Sequence, residues 1–249
     1  MRAYLQDFIY QILLQKRRIS YRELADICKV SLPTVRKVVS ELEKKNLVST
    51  IYGGVELSSS DHSVVQETEL IKEYHAIAKE AIKLVKDGEA IFLGPGKTVA
   101  ALCQYLKPFN NLTVFTNSVY VIEQLSAVSN INLISLGGVL QRVNMAFASL
   151  DEDLPPQIYI SKCFISGAGI NPETGIFHSV PVNRQTEEQV VEKSKEVILL
   201  VDKHKFGQEK AFVLMPIEKI NILVTTEGLS NDIIDMLRKK GLAVKMAPL

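Results

Sequence analysis

Five short segments carry the residue types that hold anions and hydroxyls: Gly94-Pro95-Gly96-Lys97-Thr98, Thr116-Asn117-Ser118, Gly137-Gly138, Ser166-Gly167-Ala168-Gly169 and Asp202-Lys203-His204-Lys205-Phe206-Gly207. Glycine lets a backbone N–H approach an anion closely, and the start of a helix leaves such amides without an internal acceptor. Lys97, Thr98, Ser118 and Lys205 add donors suited to a phosphate or to sugar hydroxyls, and Asp202 adds a carboxylate. Any one of these segments equally well just closes a turn. Five of them, each following an apolar run, point to one ligand-binding edge made from Gly94, Gly96, Lys97, Thr98, Thr116, Asn117, Ser118, Gly137, Gly138, Gly167, Gly169, Asp202 and Lys205.

A second group lies near the start of the chain, where Arg22, Ser31, Pro33, Thr34, Arg36 and Lys37 precede Tyr52-Gly53-Gly54. Residues 1–58 hold ten basic side chains against six acidic ones, a charge of +4 in a chain whose net charge is +1. The remainder is therefore slightly acidic, and a polyanionic partner is expected for the head alone. The planar fork of Arg36 suits the paired acceptors of guanine, while Arg22, Ser31, Thr34 and Lys37 suit phosphates. A solvated helix face for protein contacts is the plain alternative for Arg36 and Lys37.

Several sharper chemistries are excluded. Gly96-Lys97-Thr98 ends like a phosphate-binding P-loop, but Ile91 stands where its first glycine belongs. Gly167-Ala168-Gly169 meets Pro172 where a dinucleotide fingerprint needs its third glycine. His62, His75, His178 and His204 show no metal-ligand spacing, and Cys28, Cys103 and Cys163 are scattered, as expected for reduced thiols. No metal or cofactor is expected. With 47% hydrophobic and 23% charged residues the chain can bury a sizeable core, and no apolar stretch is long enough to span a membrane. The first residues carry no leader pattern, so a cytoplasmic protein is expected.

The head must position its basic residues with three helices and a hairpin. Leu5, Phe8, Ile9, Ile12 and Leu13 recur at helical spacing. Ser20-Tyr21-Arg22-Glu23 is a capping box that opens a helix with Leu24, Ala25 and Ile27 on its apolar face. Lys29-Val30-Ser31 turns the chain, and Ser31 caps a third helix expected over Leu32–Lys45. In that helix Val35, Val38, Val39 and Leu42 form one buried stripe, and Asn46 suits the left-handed position after it. Residues 47–57 hold two β-rich runs around Gly53-Gly54, a hairpin signal. Together these make a winged helix-turn-helix, with the wing along the DNA backbone or in an adjacent minor groove.

Behind a polar linker at 58–63, a connector helix is expected over about Glu67–Lys86. Apolar strands then alternate with helical stretches: Ala90–Leu93, Leu112–Phe115, Ile131–Leu136, Cys163–Ile165, Val197–Val201 and Ile222–Thr225. Such alternation implies a largely parallel sheet of Rossmann-like α/β type, whose strand ends carry the five polar segments. The division expected is a DNA-binding head over 1–58, a linker and connector helix over 59–86, and an effector-binding α/β domain over 87–249. An enzyme on the same sheet is the competing reading, with Asp202, Glu187 and Glu188 as its available carboxylates. A domain that only binds DNA leaves the five loops without a role.

In this order the motifs resemble the DeoR family of bacterial transcription regulators over nearly the whole chain. Val30-Ser31-Leu32-Pro33-Thr34-Val35-Arg36-Lys37 is similar to the family's recognition-helix pattern, and Tyr52-Gly53-Gly54-Val55 to its wing. Thr116-Asn117-Ser118, Leu136-Gly137-Gly138 and Asp202–Gly207 resemble its sensor motifs. Gly94 and Lys97 depart from the first sensor loop, and Glu187 and Glu188 are negative where the family tends to be positive. The resemblance implies a body related in fold to ribose-5-phosphate isomerase that binds a phosphorylated sugar or related metabolite. It also implies a double-stranded DNA operator, no membrane partner, and a homodimer or homotetramer that regulates, usually represses, a sugar-utilisation operon.

Overall fold

Ser20 ends one element and begins the next. In the computed structural model, which describes residues 2–44, 47–57, 62–149, 154, 157–179 and 184–249, it closes strand β1 (Arg18–Ser20) and caps helix α2 (Tyr21–Cys28). The Glu23 N–H donates to Ser20 Oγ at 3.2 Å and the Ser20 N–H donates back to Glu23 Oε2 at 3.2 Å, so two first-turn donors are satisfied reciprocally. Helix α1 (Arg2–Lys16) precedes this junction. Lys29, at φ 52°, takes the left-handed conformation that stops α2, and α3 (Leu32–Lys44) follows within three residues.

Val35, Val38, Val39 and Leu42 of α3 are buried and pack with Ile9, Leu13, Ile19, Leu24, Val48 and Val55 in one core. Each such side chain contributes about 1.5–3 kcal/mol by leaving water. Of the apolar face expected for α2, Leu24 is buried but Ile27 is exposed, because an eight-residue helix turns only one narrow stripe inward. Strands β2 (Val48–Ile51) and β3 (Gly54–Leu57) form the expected hairpin, and β1 adds a third antiparallel strand in the order β1-β3-β2. Gly54 permits this close pairing, since a Cβ there would lie 2.5 Å from the Ile19 carbonyl oxygen. This is a winged helix-turn-helix. Lys45, Asn46 and residues 58–61, the expected helix end, cap and linker, lie outside the described residues, as does Asn183.

The chain forms two compact units, residues 1–69 and 70–249, and helix α4 (His62–Ala81) runs through the division. The connector helix thus begins earlier than its apolar pattern implies, and Ile82–Leu84 continue it as a tighter 3₁₀ turn. In the second unit the chain runs through β4 (Ala90–Leu93), α5 (Lys97–Ala100), α6 (Cys103–Leu106), β5 (Leu112–Thr116), α7 (Val119–Leu125) and β6 (Ile131–Ser135). A small hairpin, β7 (Val139–Gln141) and β8 (Ala146–Ala148), precedes β9 (Ile160–Ile165), β10 (Gly169–Asn171), β11 (Gly175–His178) and α8 (Arg184–Glu192). Then come β12 (Ser194–Leu200), β13 (Phe212–Met215), β14 (Ile222–Thr226), α9 (Asn231–Lys239) and β15 (Ala243–Ala247).

Seven of these strands make one sheet in the order β15-β14-β12-β9-β4-β5-β6, and all pairings within it are parallel. Side chains alternate between its two faces. Ile91, Leu93, Phe164, Ile198 and Leu200 enter one core, whereas Phe92, Cys163, Ile165, Val197 and Leu199 enter the other. Both faces are covered, which is why these strands read as continuous apolar runs. Winding begins at β4, proceeds outward through β5 and β6, and resumes on the other side of β4 at β9. That is the doubly wound, Rossmann-like arrangement, with its direction reversing between β4 and β9. A second, three-stranded sheet (β10-β11-β13) is antiparallel.

Candidate functional site

On the head, Arg22, Ser31, Pro33, Thr34, Arg36, Lys37, Tyr52 and Gly53 are all exposed, while Gly54 is buried beneath the turn. The buried stripe of α3 forces this, because Arg36 and Lys37 fall between its members. Ser31 Oγ and Thr34 Oγ1 are 2.9 Å apart across the first turn. The Arg36 guanidinium lies over the ring of Tyr21, 5.4 Å from its centroid. Glu43, the neighbouring carboxylate, is occupied by Thr50, whose N–H and Oγ1 donate to its Oε1 at 2.9 and 2.6 Å.

In the second unit, a cavity of about 290 Å³ opens where the sheet reverses its winding. Pro95, Gly96 and Lys97 after β4 form one wall, and Ser166, Gly167 and Ala168 after β9 form another. Tyr120 of α7, Val143 and Asn144 between β7 and β8, and His178 and Ser179 complete it. The parallel strands β4 and β9 send their following loops to the same edge, and the chain winds away from the two in opposite directions, which leaves a crevice between the loops. Gly96 adopts φ 123°, open to glycine, and turns the chain so that Lys97 starts α5. The first amides of α5 have no acceptor within their own turn.

Of the expected effector residues, Gly96, Lys97 and Gly167 line this cavity. Others hold its frame. The Gly94 N–H donates to the Phe164 carbonyl at 2.9 Å, tying β4 to β9. Thr98 is buried at the start of α5. Thr116 Oγ1 donates to the Leu93 carbonyl at 2.6 Å and accepts from the Ser118 N–H at 3.0 Å. Asn117 Nδ2 donates to the Phe147 carbonyl at 3.1 Å, and the Phe147 N–H donates to the Asn117 carbonyl at 2.8 Å. The Thr116-Asn117-Ser118 turn thereby clamps the β7–β8 hairpin that carries Asn144 to the cavity. Asn117 Oδ1, Ser118 Oγ and Asn144 Oδ1 are buried without a hydrogen-bond partner.

Gly137 and Gly138 lie at the exposed start of the β7–β8 hairpin. Gly169 begins β10 against Gln208, and the Gly207 N–H donates to the Ile170 carbonyl at 2.9 Å. Asp202 is buried, and its Oδ1 accepts from the His204 N–H at 3.0 Å. Lys205 is half-buried in this turn and is not part of the cavity lining.

His178 has no role in the sequence reading, and Glu187 enters it only as a carboxylate of the competing enzyme reading and as a charge departing from the family resemblance. His178 lines the cavity, and its Nε2 is 3.3 Å from Oε2 of buried Glu187, without hydrogen-bond geometry. Burial pushes the Glu187 carboxyl up to about 8. Burial also lowers the His178 imidazole, partly opposed by a hydrogen bond to the Ser166 backbone. A further buried carboxylate, Glu73 on α4, accepts from Thr226 Oγ1 at 3.0 Å and lies 3.5 Å from His204 Nε2 and 3.8 Å from Lys203 Nζ. Among the described residues no cluster of three His, Cys, Asp or Glu side chains is placed to hold a metal ion. No helix among them is long and apolar enough to cross a membrane.

Comparison with known proteins is consistent in both units. The DeoR C-terminal sensor domain matches residues 69–227, and a winged helix-turn-helix DNA-binding family matches residues 8–49. The chain is 29% identical over 241 residues to the HTH-type transcriptional regulator IolR of Bacillus subtilis, covering 95% of this chain and 96% of that one. It is 30% identical over 249 residues to the uncharacterised HTH-type regulator YulB of the same organism, covering 98% and 96%. It is 28% identical over 228 residues to a lactose phosphotransferase system repressor of Staphylococcus epidermidis, covering 88% and 90%. Among solved structures, ribose 5-phosphate isomerase A from Methanocaldococcus jannaschii matches 56% of this chain and 55% of that chain at 22% identity, with a TM-score of 0.40.

Proposed function

The chain belongs to the DeoR family of HTH-type transcriptional regulators, and from that premise we propose that it represses a carbohydrate-metabolism operon under control of a phosphorylated sugar. It is a DNA-binding transcription regulator with a small-molecule sensor domain. The name of the staphylococcal relative, a lactose phosphotransferase system repressor, supports the carbohydrate assignment.

One observation carries the effector reading: the cavity at the winding reversal joins Lys97 and the first amides of α5 to the hydroxyl and amide groups of Ser166, Ser179 and Asn144. Phosphate sits against Gly96, Lys97 and the amides that follow, and the sugar hydroxyls face Asn144 and Ser179. The four-residue α5 contributes individual N–H donors rather than a long helix dipole. Thr116, Asn117 and Ser118 act by holding the hairpin in place, and Lys205 and Asp202 shape the neighbouring turn.

On the head, α3 enters the major groove of double-stranded DNA with Arg36 at base edges. Lys37, Ser31, Thr34 and Arg22 hold phosphates, with Tyr52 and Gly53 of the wing alongside. Two-fold operators require at least a homodimer, and the protein works in the cytoplasm, where its DNA lies. Regulation requires that effector bind the DNA-competent and DNA-incompetent states with different affinity.

Thermal-shift measurements with a panel of sugar phosphates test the effector class. Stabilisation that is lost in Lys97→Ala supports it. Failure of every phosphorylated sugar to stabilise the protein contradicts it. Turnover of those compounds would instead favour the competing enzyme reading.

A further inference from the structure

Two parts of the head are expected to meet DNA, the exposed face of α3 and the wing turn, and Tyr21 touches both. Its backbone N–H donates to the Gly53 carbonyl at 3.1 Å, fastening the tip of the wing to the first residue of α2. Its ring lies under the Arg36 guanidinium at 5.4 Å. Tyr21 is itself fixed, because it follows the Ser20–Glu23 capping box and packs on the core of the head.

The stacking has a specific chemical consequence. A carboxylate partner consumes guanidinium N–H donors, whereas an aromatic face engages the plane of the group and leaves its in-plane donors available. Glu43 is the nearby carboxylate, close enough to perturb the Tyr21 hydroxyl, yet its Oε1 is taken by both donors of Thr50. No ion pair to Arg36 is present among the described residues. The long arginine side chain is therefore confined without being neutralised, and ordering it before DNA arrives removes part of the entropy lost on binding.

We infer that Tyr21 is a positioning residue for DNA recognition: its ring presents the Arg36 fork edge-on, and its amide fixes the wing at a set distance from that fork. This rests on the reading that Arg36 contacts base edges. Tyr21 needs no contact with DNA to act, and its effect falls on discrimination between sequences more than on overall attraction to phosphate.

The test uses the full chain and the tightest duplex recovered from a random 30-base-pair pool, compared with a scrambled duplex of equal length across a salt series. Tyr21→Leu lowers the ratio of the two affinities by about three- to fivefold, whereas Tyr21→Phe, which keeps the ring, stays within about twofold of the parent. Arg36→Ala lowers the ratio by at least about fivefold. Tyr21→Leu combined with Arg36→Ala loses no more than Arg36→Ala alone, because the ring acts through the guanidinium. Should Tyr21→Leu fail to fold, Tyr21→Met replaces it in the same cycle.

A loss in the double variant equal to the product of the single losses overturns the inference, as does a Tyr21→Phe ratio that falls as far as that of Tyr21→Leu. Those outcomes leave Arg36 as a base reader. If Arg36→Ala weakens both duplexes equally and flattens the salt dependence, Arg36 is a phosphate contact and the underlying reading fails first.

Discussion

Oε2 of Glu187 lies 3.3 Å from Nε2 of His178, and the surroundings of the pair keep both groups uncharged at neutral pH. Glu187 is 1% exposed on α8, with Cys163 of β9 nearby, and its burial raises its pKa. His178 separates it from the cavity. The distance alone reads as a salt bridge, but desolvation of both partners outweighs their attraction, so the ground behind the cavity holds a protonated carboxyl and a neutral imidazole.

This arrangement has a pH signature. The unfolded chain releases the Glu187 proton near its usual value of 4.5, whereas the folded protein retains it to about 8. Stability from this group is complete below about 4.5 and is lost progressively as pH rises toward 8. His178 acts in the opposite sense, since its lowered pKa costs stability as pH falls below 6.5. Glu187→Gln should therefore gain stability relative to the parent as pH rises from 5 to 8, measured by urea unfolding. An unchanged difference across that range contradicts a protonated Glu187.

Glu73 on α4 gives a second expectation. Its carboxylate is buried and receives the Thr226 hydroxyl at 3.0 Å. Thr226→Val keeps the shape but removes the donor, and should cost about 1–3 kcal/mol. Thr226→Ser should cost clearly less. A Thr226→Val variant as stable as the parent, or less costly than Thr226→Ser, would show that the methyl group, not the hydroxyl, matters.

The capping box predicts a third. Ser20→Ala removes the acceptor for the Glu23 N–H and should cost about 0.5–2 kcal/mol in chemical denaturation of the protein. Ser20→Asp should recover most of it. A neutral Ser20→Ala would mean that α2 is held by its core contacts alone.

Gly96 predicts a fourth. Its φ of 123° is unfavourable to any side chain, and a Cβ would approach that of Ser166 at 3.3 Å across the cavity. Gly96→Ala should lower the melting temperature and weaken stabilisation by sugar phosphates together. Full retention of ligand stabilisation would place the ligand elsewhere.

What the sequence revealed follows from how local each signal is. The Val35–Leu42 stripe, the Ser20–Glu23 box and the apolar strands β4, β5, β6, β9, β12 and β14 are encoded by neighbouring residues, and each appears where the local pattern implies. Strand β15 was illegible because it is a half-exposed edge, with Lys245 breaking the apolar run. The hairpin strands around the cavity are only three or four residues long, too short to show a period, and β11 also pairs with the distant β13. Grouping Lys205 with Lys97 failed to foresee that the 202–207 turn would be laced to β10, since only the strand order decides which loops adjoin. Burial of Glu187 did leave a trace: it precedes Val190 and Val191 by three and four residues and so shares their inward face. Nothing local pairs it with His178.

The most direct test titrates a stabilising sugar phosphate into the complex of the full chain with its selected duplex, following DNA affinity by fluorescence anisotropy. A saturable change in Kd of about fivefold or more is expected, lost in Lys97→Ala, with Arg36→Ala separately abolishing preference for the selected sequence. A DNA affinity that is indifferent both to the ligand and to the duplex sequence would contradict both expectations.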